Sequence, residues 1–372
     1  MATSTWRPSC AGDRRLGEAH APPSRGGGES SRAVRRRGRI RGVAGSARPR
    51  AAGGCRRGVQ HHESPGAGCA ATGGDGRARS DDSGTPRPRR GPIRRPPQDA
   101  WDLHGNLDRI AEHLIQCANE GIQLAIFPET CTTGYFLEGG VLELAISSES
   151  LAQKLNDRVQ GKLSKPIEFA LGFYELLGGN VYNSAGFCRF DGTKVETVKT
   201  YQKIFLPTYG VFDEDRFVSK GKDLCILDSL LGVTALMICE DVWHSVLPTL
   251  NAVAGATAMI IPSASPARGF RSEHIENHER YQRLVRAISE EHGVYSFVAQ
   301  LVGHEGGKGF VGGSMICDPL GRILVEAPVG VEAIISAEID LELVSIARAQ
   351  TPLISDLQSS WHNILKIANE ID

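Results

Sequence analysis

Short apolar runs alternate with helical patterns from residue 105 to residue 339, and this alternation restricts the fold more than any other feature. The run IQLAIF at 122–127 predicts a buried strand that is closed by Pro128. Strand and helix patterns joined by short loops are typical of an α/β fold. Further strands are expected at 168–175, 181–190, 231–238, 257–261, 294–301, 309–316 and 331–339, and helices at 149–159, 245–254 and 272–291.

The first helix is predicted in the stretch GNLDRIAEHLIQCANEG at 105–121. Its apolar residues recur at the three- and four-residue spacing of a helix that packs on one face. Asn106 is the expected N-cap, and Gly121 suits the end of the helix. The folded part is therefore expected to begin near Trp101 and to form one domain, residues 101–372.

Residues 1–100 are a different kind of chain, rich in Arg, Gly, Pro and Ala. They contain 21 arginines, no lysine and eight acidic residues, which gives a net charge of +13, whereas the remaining 21 basic and 35 acidic residues give −14. The stretch SSRAVRRRGRIRGVAGSARPR at 30–50 has neither a helical nor a strand period. The apolar residues of this segment are too few for their burial to offset a backbone ordering cost of ~1–2 kcal/mol per residue. The segment is therefore predicted to be a disordered extension.

Three explanations of this extension compete. A basic arm could contact nucleic acid or acidic surfaces, and an Arg-rich segment could be an organelle transit peptide. The favoured explanation is an unstructured extension that comes from an overlong or frame-shifted start, since GC-rich DNA read in a wrong frame gives this bias. Nucleic acid is therefore not the expected partner of the folded part.

Composition excludes several classes of protein. No apolar run reaches the roughly 18 residues of a membrane helix, and the amino terminus has no apolar segment of a secretory signal. The nine cysteines show no C-x-x-C or C-x-x-H pattern. We therefore expect reduced thiols, a cytoplasmic protein and no metal site.

Three predicted strands end beside a residue that could take part in chemistry. Glu129 follows the strand at 122–127, Lys203 precedes the apolar triplet of KIFLP, and Cys239 ends the run TALMIC. Reactive groups of α/β sheets gather at the carboxyl ends of strands. A thiolate can attack an amide, a carboxylate can move the proton, and an ammonium with the N–H of Glu240 can stabilise the oxyanion. The sequence therefore predicts an amide-cleaving site.

Each of the three residues also has an ordinary structural explanation. An acid after a strand is usually a cap or turn residue, and a lysine is usually a solvated charge. A cysteine that ends an apolar run is usually part of the core, as we expect for Cys225 and Cys317. Placement of all three at strand ends favours the catalytic interpretation, although periodicity does not show that they converge.

At these stretches the chain resembles the nitrilase superfamily, the carbon–nitrogen hydrolases, over roughly residues 102–360. The spacings of 74 residues from Glu129 to Lys203 and of 36 residues from Lys203 to Cys239 are similar to those of the family. The motifs that carry the resemblance are FPETCTTGY, YQKIFLPTYGVFDEDRF, ICEDVW, IPSASPARG, FVGGSMICDPLGRI and PLISDLQ.

The resemblance implies a four-layer α-β-β-α sandwich and a catalytic triad of Glu129, Lys203 and Cys239. It also implies that Glu214 acts as a second glutamate, which orients the lysine and holds substrate. Members hydrolyse non-peptide C–N bonds through a thioester without cofactor or metal, and they commonly form homo-oligomers. Nitrile and N-carbamoyl hydrolysis use the same triad, so the resemblance leaves these reactions open.

Within the family, LPTYGVFDEDR, ICEDVW and SASP are most similar to the glutaminase domain of glutamine-dependent NAD synthetases. That branch binds glutamine partly through residues that match Tyr209, Phe212, Glu240 and Ser265. The chain departs from it at Thr208 and Ser263, where the branch has asparagine, and no stretch of the 372 residues is expected to form an ATP-using domain.

A free-standing amidase of a small carboxamide is therefore the first expectation, with Tyr135 and Trp243 as further walls of its pocket. One alternative is a glutaminase subunit that supplies ammonia to a separate synthetase partner. Another is an inactive or regulatory member, because the family begins with a central apolar strand. Here the corresponding stretch, TPRPRRGPIRRPPQDAWDL at 85–103, has five prolines and five arginines and cannot form such a strand.

Overall fold

Two six-stranded β-sheets with helices on their outer faces make up the part of the chain that the structure describes. This computed structural model describes residues 40–45, 102–137, 140–271, 274–305 and 307–371. The helices are α1 (Leu103–Asn119), α2 (Val141–Leu144), α3 (Ser148–Val159), α4 (Val246–Val253), α5 (Glu276–His292), α6 (Glu342–Gln350) and α7 (Leu353–Ala368). The strands are β1 (Ile40–Gly45), β2 (Leu124–Ile126), β3 (Ile167–Leu177), β4 (Asn180–Phe190), β5 (Val195–Gln202), β6 (Cys225–Ser229), β7 (Gly232–Leu236), β8 (Ala258–Ser263), β9 (Phe270–Arg271), β10 (His274–Ile275), β11 (Tyr295–Gln300), β12 (Val302–Glu305), β13 (Lys308–Val311), β14 (Met315–Cys317), β15 (Ile323–Glu326) and β16 (Ile334–Ile339).

The strand order of the two large sheets places the carboxyl ends of β2 and β7 in different sheets. The first sheet runs β16-β1-β2-β3-β4-β5, in which β2 is parallel to β1 and β3. The second runs β15-β14-β11-β8-β7-β6, in which β8 is parallel to β7 and β11. Glu129 therefore comes from one sheet and Cys239 from the other.

Three apolar layers join the helices and sheets. Leu124, Phe187 and Phe297 belong to a core in which side chains of both sheets meet, so the sheets pack face to face. Each large apolar side chain that is fully buried contributes roughly 1.5–3 kcal/mol. The outer cores pack α1 and α3 on the first sheet and α4 and α5 on the second. The predicted four-layer α-β-β-α sandwich is confirmed.

The alternative in which the sheet lacks its first strand is wrong, because residues 40–45 rather than 85–103 supply that strand. Strand β1 lies between β16 and β2 in the first sheet, and Ile40–Gly45 pairs along its whole length with β16. Gly42, Val43 and Ala44 pair in parallel with β2 on the other side. Backbone N–H and C=O groups form these ladders. A stretch without a regular alternation of apolar and polar side chains can therefore still form a strand of the sheet. The predicted disorder of the rest of residues 1–100 lies outside the described residues.

Two local predictions also need correction. Asp102, not Asn106, caps α1, because its carboxylate accepts a hydrogen bond from the N–H of Gly105. Asn106 is buried inside the helix, where its Nδ2 donates to the carbonyl oxygen of Thr132.

The expected strand at 309–316 is in fact two strands in different ladders, β13 and β14. Gly312 and Gly313 separate them with φ values of +69° and +72°. Among the described helices, none is long and apolar enough to cross a membrane.

Candidate active site

Cys239 lies at a sharp turn that follows the apolar run of β7. It is the first residue of a short 3-10 helix, Cys239–Trp243, and its φ of +44° places it in the left-handed region. That conformation costs roughly 1–2 kcal/mol for a residue with a Cβ. The hydroxyl of Tyr281 contacts both the Cys239 carbonyl oxygen, at 3.4 Å, and the Ser263 hydroxyl, at 2.6 Å. The strained turn is thus held by buried hydrogen bonds.

Glu129 is placed by a close approach between two strands of the first sheet. The chain leaves β2, passes Pro128 and reaches the fully buried Glu129, and the next residue, Thr130, has a φ of +47°. Gly172 of β3 lies directly behind this turn. A Cβ at position 172 would lie 2.2 Å from the Thr130 nitrogen and 2.5 Å from the Glu129 Cα. Only glycine lets the turn come so close.

Lys203 follows β5 and places its ammonium between two carboxylates. Its Nζ lies 2.7 Å from Glu129 Oε1 and 2.8 Å from Glu214 Oε2, and all three side chains are buried. Burial alone would lower the pKa of Lys203, but the two carboxylates raise it well above its ordinary value. The lysine therefore remains an ammonium ion at neutral pH.

Asn183 of β4 completes this cluster, and no pattern in the sequence pointed to it. Its Nδ2 donates to Glu129 Oε1 at 2.8 Å and to Glu214 Oε1 at 2.6 Å. Burial raises the pKa of Glu214 to about 7, against the lowering effect of Lys203. Glu129 Oε2 is buried without a hydrogen-bond partner among the described residues, so it can accept a proton.

Asp241 is a second residue that sequence reasoning missed. Its buried carboxylate accepts hydrogen bonds from the Tyr201 hydroxyl at 2.8 Å, the Phe205 N–H at 3.0 Å and the Ile238 N–H at 2.9 Å. These donors come from β5, from the loop after Lys203 and from the residue before Cys239. The carboxylate therefore ties the lysine loop to the cysteine turn.

The Cys239 thiol has a pKa raised well above its ordinary value. Burial raises the pKa most, and Glu129 raises it further. Lys203 and a backbone hydrogen bond at Ala264 lower it without reversing the direction. The thiol is therefore neutral in the free protein, and a nearby base must take its proton before it can attack.

Replacing Glu129 with glutamine should accelerate alkylation of Cys239 by iodoacetamide at alkaline pH, where hydroxide can take the thiol proton in place of Glu129. The substitution removes a negative charge that raises the thiol pKa, while Lys203 keeps its partner Glu214. Below the pKa, the thiolate fraction rises about tenfold for each pH unit by which the pKa falls. Mass spectrometry of the Cys239 peptide between pH 6 and 10 measures this change. Cys317, whose pKa burial raises to about 12, is the internal control. Slower labelling of the variant at alkaline pH would contradict the charge arrangement.

The six expected pocket residues are distributed around two cavities. Tyr135 and Glu214 line a cavity of about 340 Å³, the Glu214 cavity. Tyr209, Glu240 and Trp243 line another of about 490 Å³, the Arg268 cavity, which Arg268, Asn277 and Arg280 also line.

Phe212 and Ser265 lie behind these walls. The Phe212 ring lies 5.9 Å from that of Tyr135 and 5.8 Å from that of Tyr209, so it joins the two cavity walls. Ser265 is buried and accepts a hydrogen bond from Asn277 Nδ2 at 3.0 Å. It therefore supports the Arg268 cavity through Asn277.

Comparison with known proteins agrees with this arrangement of layers. A family model described as carbon–nitrogen hydrolase matches residues 93–349. The glutamine-dependent NAD(+) synthetase of Thermotoga maritima is 30% identical over 246 residues, which are 65% of this chain and 40% of that protein. Deaminated glutathione amidase of Dictyostelium discoideum is 27% identical over 266 residues, which are 67% of this chain and 87% of that protein. The chain thus spans about two fifths of the length of the Thermotoga synthetase.

Solved structures show the same fold. An amidase from Nesterenkonia sp. AN1 superimposes with a TM-score of 0.59 at 19% identity and covers 88% of this chain and 97% of that one. The glutamine-dependent NAD+ synthetase from Acinetobacter baumannii gives a TM-score of 0.56 at 22% identity, over 65% of this chain and 44% of that one. Because the family model matches well over half of its length, the chain belongs to the carbon–nitrogen hydrolases and is an enzyme of the nitrilase superfamily.

Proposed function

We propose that this enzyme hydrolyses a small carboxamide through a thioester on Cys239 and releases ammonia. The observation that carries the proposal is the buried cluster in which Lys203 bridges Glu129 and Glu214, whose charges act on a thiol held at a strained turn. A carboxylate, an ammonium and a thiol are the groups that amide cleavage by a cysteine requires.

Acylation begins when Glu129 takes the proton of the Cys239 thiol. The thiolate attacks the amide carbon, a C–S bond forms, and the carbonyl oxygen becomes an oxyanion. The Lys203 ammonium and the N–H of Glu240 stabilise that oxyanion, an arrangement whose loss typically costs 10²–10³-fold in rate. Glu129 then gives its proton to the departing nitrogen, the C–N bond breaks, and ammonia leaves.

Deacylation uses the Glu129 carboxylate again, now as the base that takes a proton from water. Glu129 removes a proton from water, and the resulting hydroxide attacks the thioester carbon. The C–S bond breaks, the acid is released, and the thiol regains its proton. Glu214 and Asn183 act throughout by holding Lys203 and Glu129 in place. The sum is one amide and one water converted to one acid and one ammonia.

Incubation with a panel of primary amides should produce an acyl adduct on Cys239. Deacylation requires water activation, so rapid acid quenching should trap the adduct, which intact-mass and peptide mass spectrometry then locate. Ammonia release in the same samples should follow the same order of substrates. An adduct on another cysteine, or ammonia without any adduct under rapid quench, would contradict the mechanism.

A glutaminase subunit is the second candidate. It is favoured by the 30% identity to a glutamine-dependent NAD(+) synthetase, a larger protein of which the match covers 40%. Glutamine hydrolysis that becomes rapid only when a separate synthetase is added would support it over the free-standing amidase. The inactive alternative loses its basis, because β1 fills the strand position that was thought to be empty.

We also propose that the enzyme works as a homo-oligomer in the cytoplasm. Helix α7 and the residues after it expose Leu353, Leu365, Ile367 and Ile371, each more than two fifths accessible to solvent. Exposed apolar side chains of this kind are typical of an interface, and a second copy of the chain can cover them. A sedimentation mass equal to one chain at micromolar concentration would contradict this part. The six cysteines that the structure describes are free thiols, which suits a reducing compartment.

A further inference from the structure

Glu305 is a buried glutamate that the proposed mechanism does not use. It ends β12, and its Oε2 accepts hydrogen bonds from the N–H of Tyr135 at 2.7 Å and from that of Phe136 at 3.2 Å. Tyr135 precedes Glu305 by 170 positions and belongs to the loop that begins at Glu129. The carboxylate therefore joins the loop of the proposed catalytic base to a distant part of the chain.

The strands that carry Glu305 are fixed to the second sheet. β12 and β13 pair with each other, and two backbone hydrogen bonds of 2.8 and 3.1 Å join β13 to Ala267 and Ser265, in the loop after β8. β8 lies beside β7, the strand that leads to Cys239. Glu305 therefore ties the loop of Glu129, which comes from the first sheet, to the framework that carries the nucleophile.

Tyr135 is the residue of this loop that reaches the catalytic cluster. Lys203 Nζ lies 5.8 Å from the centroid of its ring. Its hydroxyl is buried and has no hydrogen-bond partner among the described residues. Burial raises the pKa of the hydroxyl well above its ordinary value, and Glu214, Glu129 and Cys239 raise it further. An O–H group that stays protonated beside these side chains can donate a hydrogen bond to a bound amide.

The strands that bear Glu305 also hold the ring of Tyr135. The Phe310 ring of β13 lies 6.0 Å from it, and those of Phe136 and Phe212 lie 5.0 and 5.9 Å away, all three edge to face. These contacts set the direction of the ring relative to its backbone. A shift of the Tyr135 backbone would therefore displace the hydroxyl directly.

We propose that Glu305 is a positioning residue of the active site, which holds Tyr135 so that its hydroxyl donates a hydrogen bond to the amide of the substrate. This inference rests on the proposed function for the reaction that it serves. Hydrogen bonds from N–H groups to a carboxylate are stronger than those to a neutral acceptor, so they fix the loop before substrate arrives. Glu305 itself contacts no reacting atom and transfers no proton.

Glu305→Met and Glu305→Gln separate the hydrogen bonds from the packing. Methionine keeps the length of the side chain but leaves two buried N–H groups without an oxygen acceptor, whereas glutamine keeps one. For the best amide, kcat/KM should fall about tenfold in the methionine variant, and the glutamine variant should retain about a third of the wild-type value or more. A glutamine variant as slow as the methionine variant would overturn the inference.

Glu168→Met is the matched control. Glu168 is another buried glutamate whose carboxylate accepts a backbone N–H, that of Leu230 at 2.8 Å, but it lies at the start of β3, away from the loop of Glu129. Its kcat/KM should stay within about twofold of the wild type, even where its melting temperature falls. A loss in this control as large as in Glu305→Met would overturn the positioning role.

A double-mutant cycle shows whether Glu305 acts through the Tyr135 hydroxyl. Tyr135→Phe removes only that hydroxyl and should by itself lower kcat/KM about tenfold. In the Tyr135→Phe background, Glu305→Met should cost less than about twofold more, because residues that act as a unit give non-additive losses. A double variant that loses the product of the two single effects would overturn the assignment.

Labelling of Cys239 separates this inference from the catalytic proposal. Iodoacetamide and methyl methanethiosulfonate both react with the thiolate, but only iodoacetamide carries a primary amide. The ratio of their second-order rate constants at the Cys239 peptide therefore reports how well an amide is held, because a change in the thiolate fraction affects both rates alike. The ratio should fall about threefold or more in Glu305→Met and in Tyr135→Phe, and no further in the double variant.

The two proposals then fail in different ways. If the ratio falls as expected while the wild type releases no ammonia from any amide, the positioning role stands and the hydrolase proposal falls. If ammonia is released but the ratio is the same in the wild type and both single variants, the hydrolase proposal stands and the role of Glu305 is overturned.

Discussion

Replacing Cys239 with alanine should lower ammonia release from the best amide by about 10⁴-fold or more, the loss typical of removing a catalytic nucleophile. No described side chain beside it offers another thiol: Cys131, two residues after Glu129, is buried, and burial raises its pKa to about 12. The remaining Glu129 and Lys203 can hold an amide but cannot form the thioester. A coupled assay of ammonia, run with substrate well above KM, measures the loss.

The fold should survive this substitution. Alanine and cysteine both carry a Cβ, so the left-handed φ of +44° costs a similar amount in either protein. Cys317→Ala is the matched control, because it removes another buried thiol, from β14, outside the catalytic cluster. Both variants should keep the wild-type circular dichroism spectrum, and only Cys239→Ala should be inactive. Comparable activity in the two variants would end the case for a cysteine nucleophile at position 239.

Replacing Val43 with proline should destabilise the enzyme by roughly 3 kcal/mol or more, because proline removes a ladder hydrogen bond and is not tolerated within a sheet. Val43 lies in β1, paired with Ser336 of β16 on one side and with Ala125 of β2 on the other. Such a loss is a large part of the 5–15 kcal/mol that stabilises a typical domain. Activity should fall as well, since β2 leads to Glu129 within three residues. Thermal denaturation followed by circular dichroism measures the effect.

Val246→Pro is the control for this experiment. It makes the same substitution at the exposed first residue of α4, a position where proline is tolerated. The melting temperature of the Val246 variant should stay close to that of the wild type, while that of the Val43 variant should fall by several degrees or more. Equal melting temperatures of all three proteins would show that Ile40–Gly45 is not a strand of the sheet.

The layered fold could be predicted because its signals are local. The apolar runs before Glu129 and Cys239 have the length and composition of buried strands, and both lie where strands β2 and β7 end. Strand β1 could not be predicted, because its place depends on backbone pairing with residues about 80 and 290 positions later. The Arg- and Gly-rich residues around β1 in the sequence do not indicate the strands with which it pairs.

The candidate site could be predicted only in part, for a related reason. Glu129 and Cys239 follow strand patterns that are visible in the sequence, Lys203 was singled out by the apolar triplet after it, and the resemblance supplied Glu214. Asn183 lies within a long strand and shows its importance only through hydrogen bonds to two carboxylates from distant loops. The raised pKa of Cys239 was missed because burial, which sequence proximity to acids and bases does not reveal, is its largest cause.

The glycine behind Glu129 limits how this enzyme can be engineered. Glycine inside a strand is an obvious target for consensus or β-propensity design, because a larger residue normally strengthens the strand. At position 172 even one methyl group would collide with the turn that carries Glu129, because its Cβ would lie 2.2 Å from the Thr130 nitrogen. A thermostabilisation campaign should therefore leave this position of β3 unchanged and seek its gains on the far side of the sandwich.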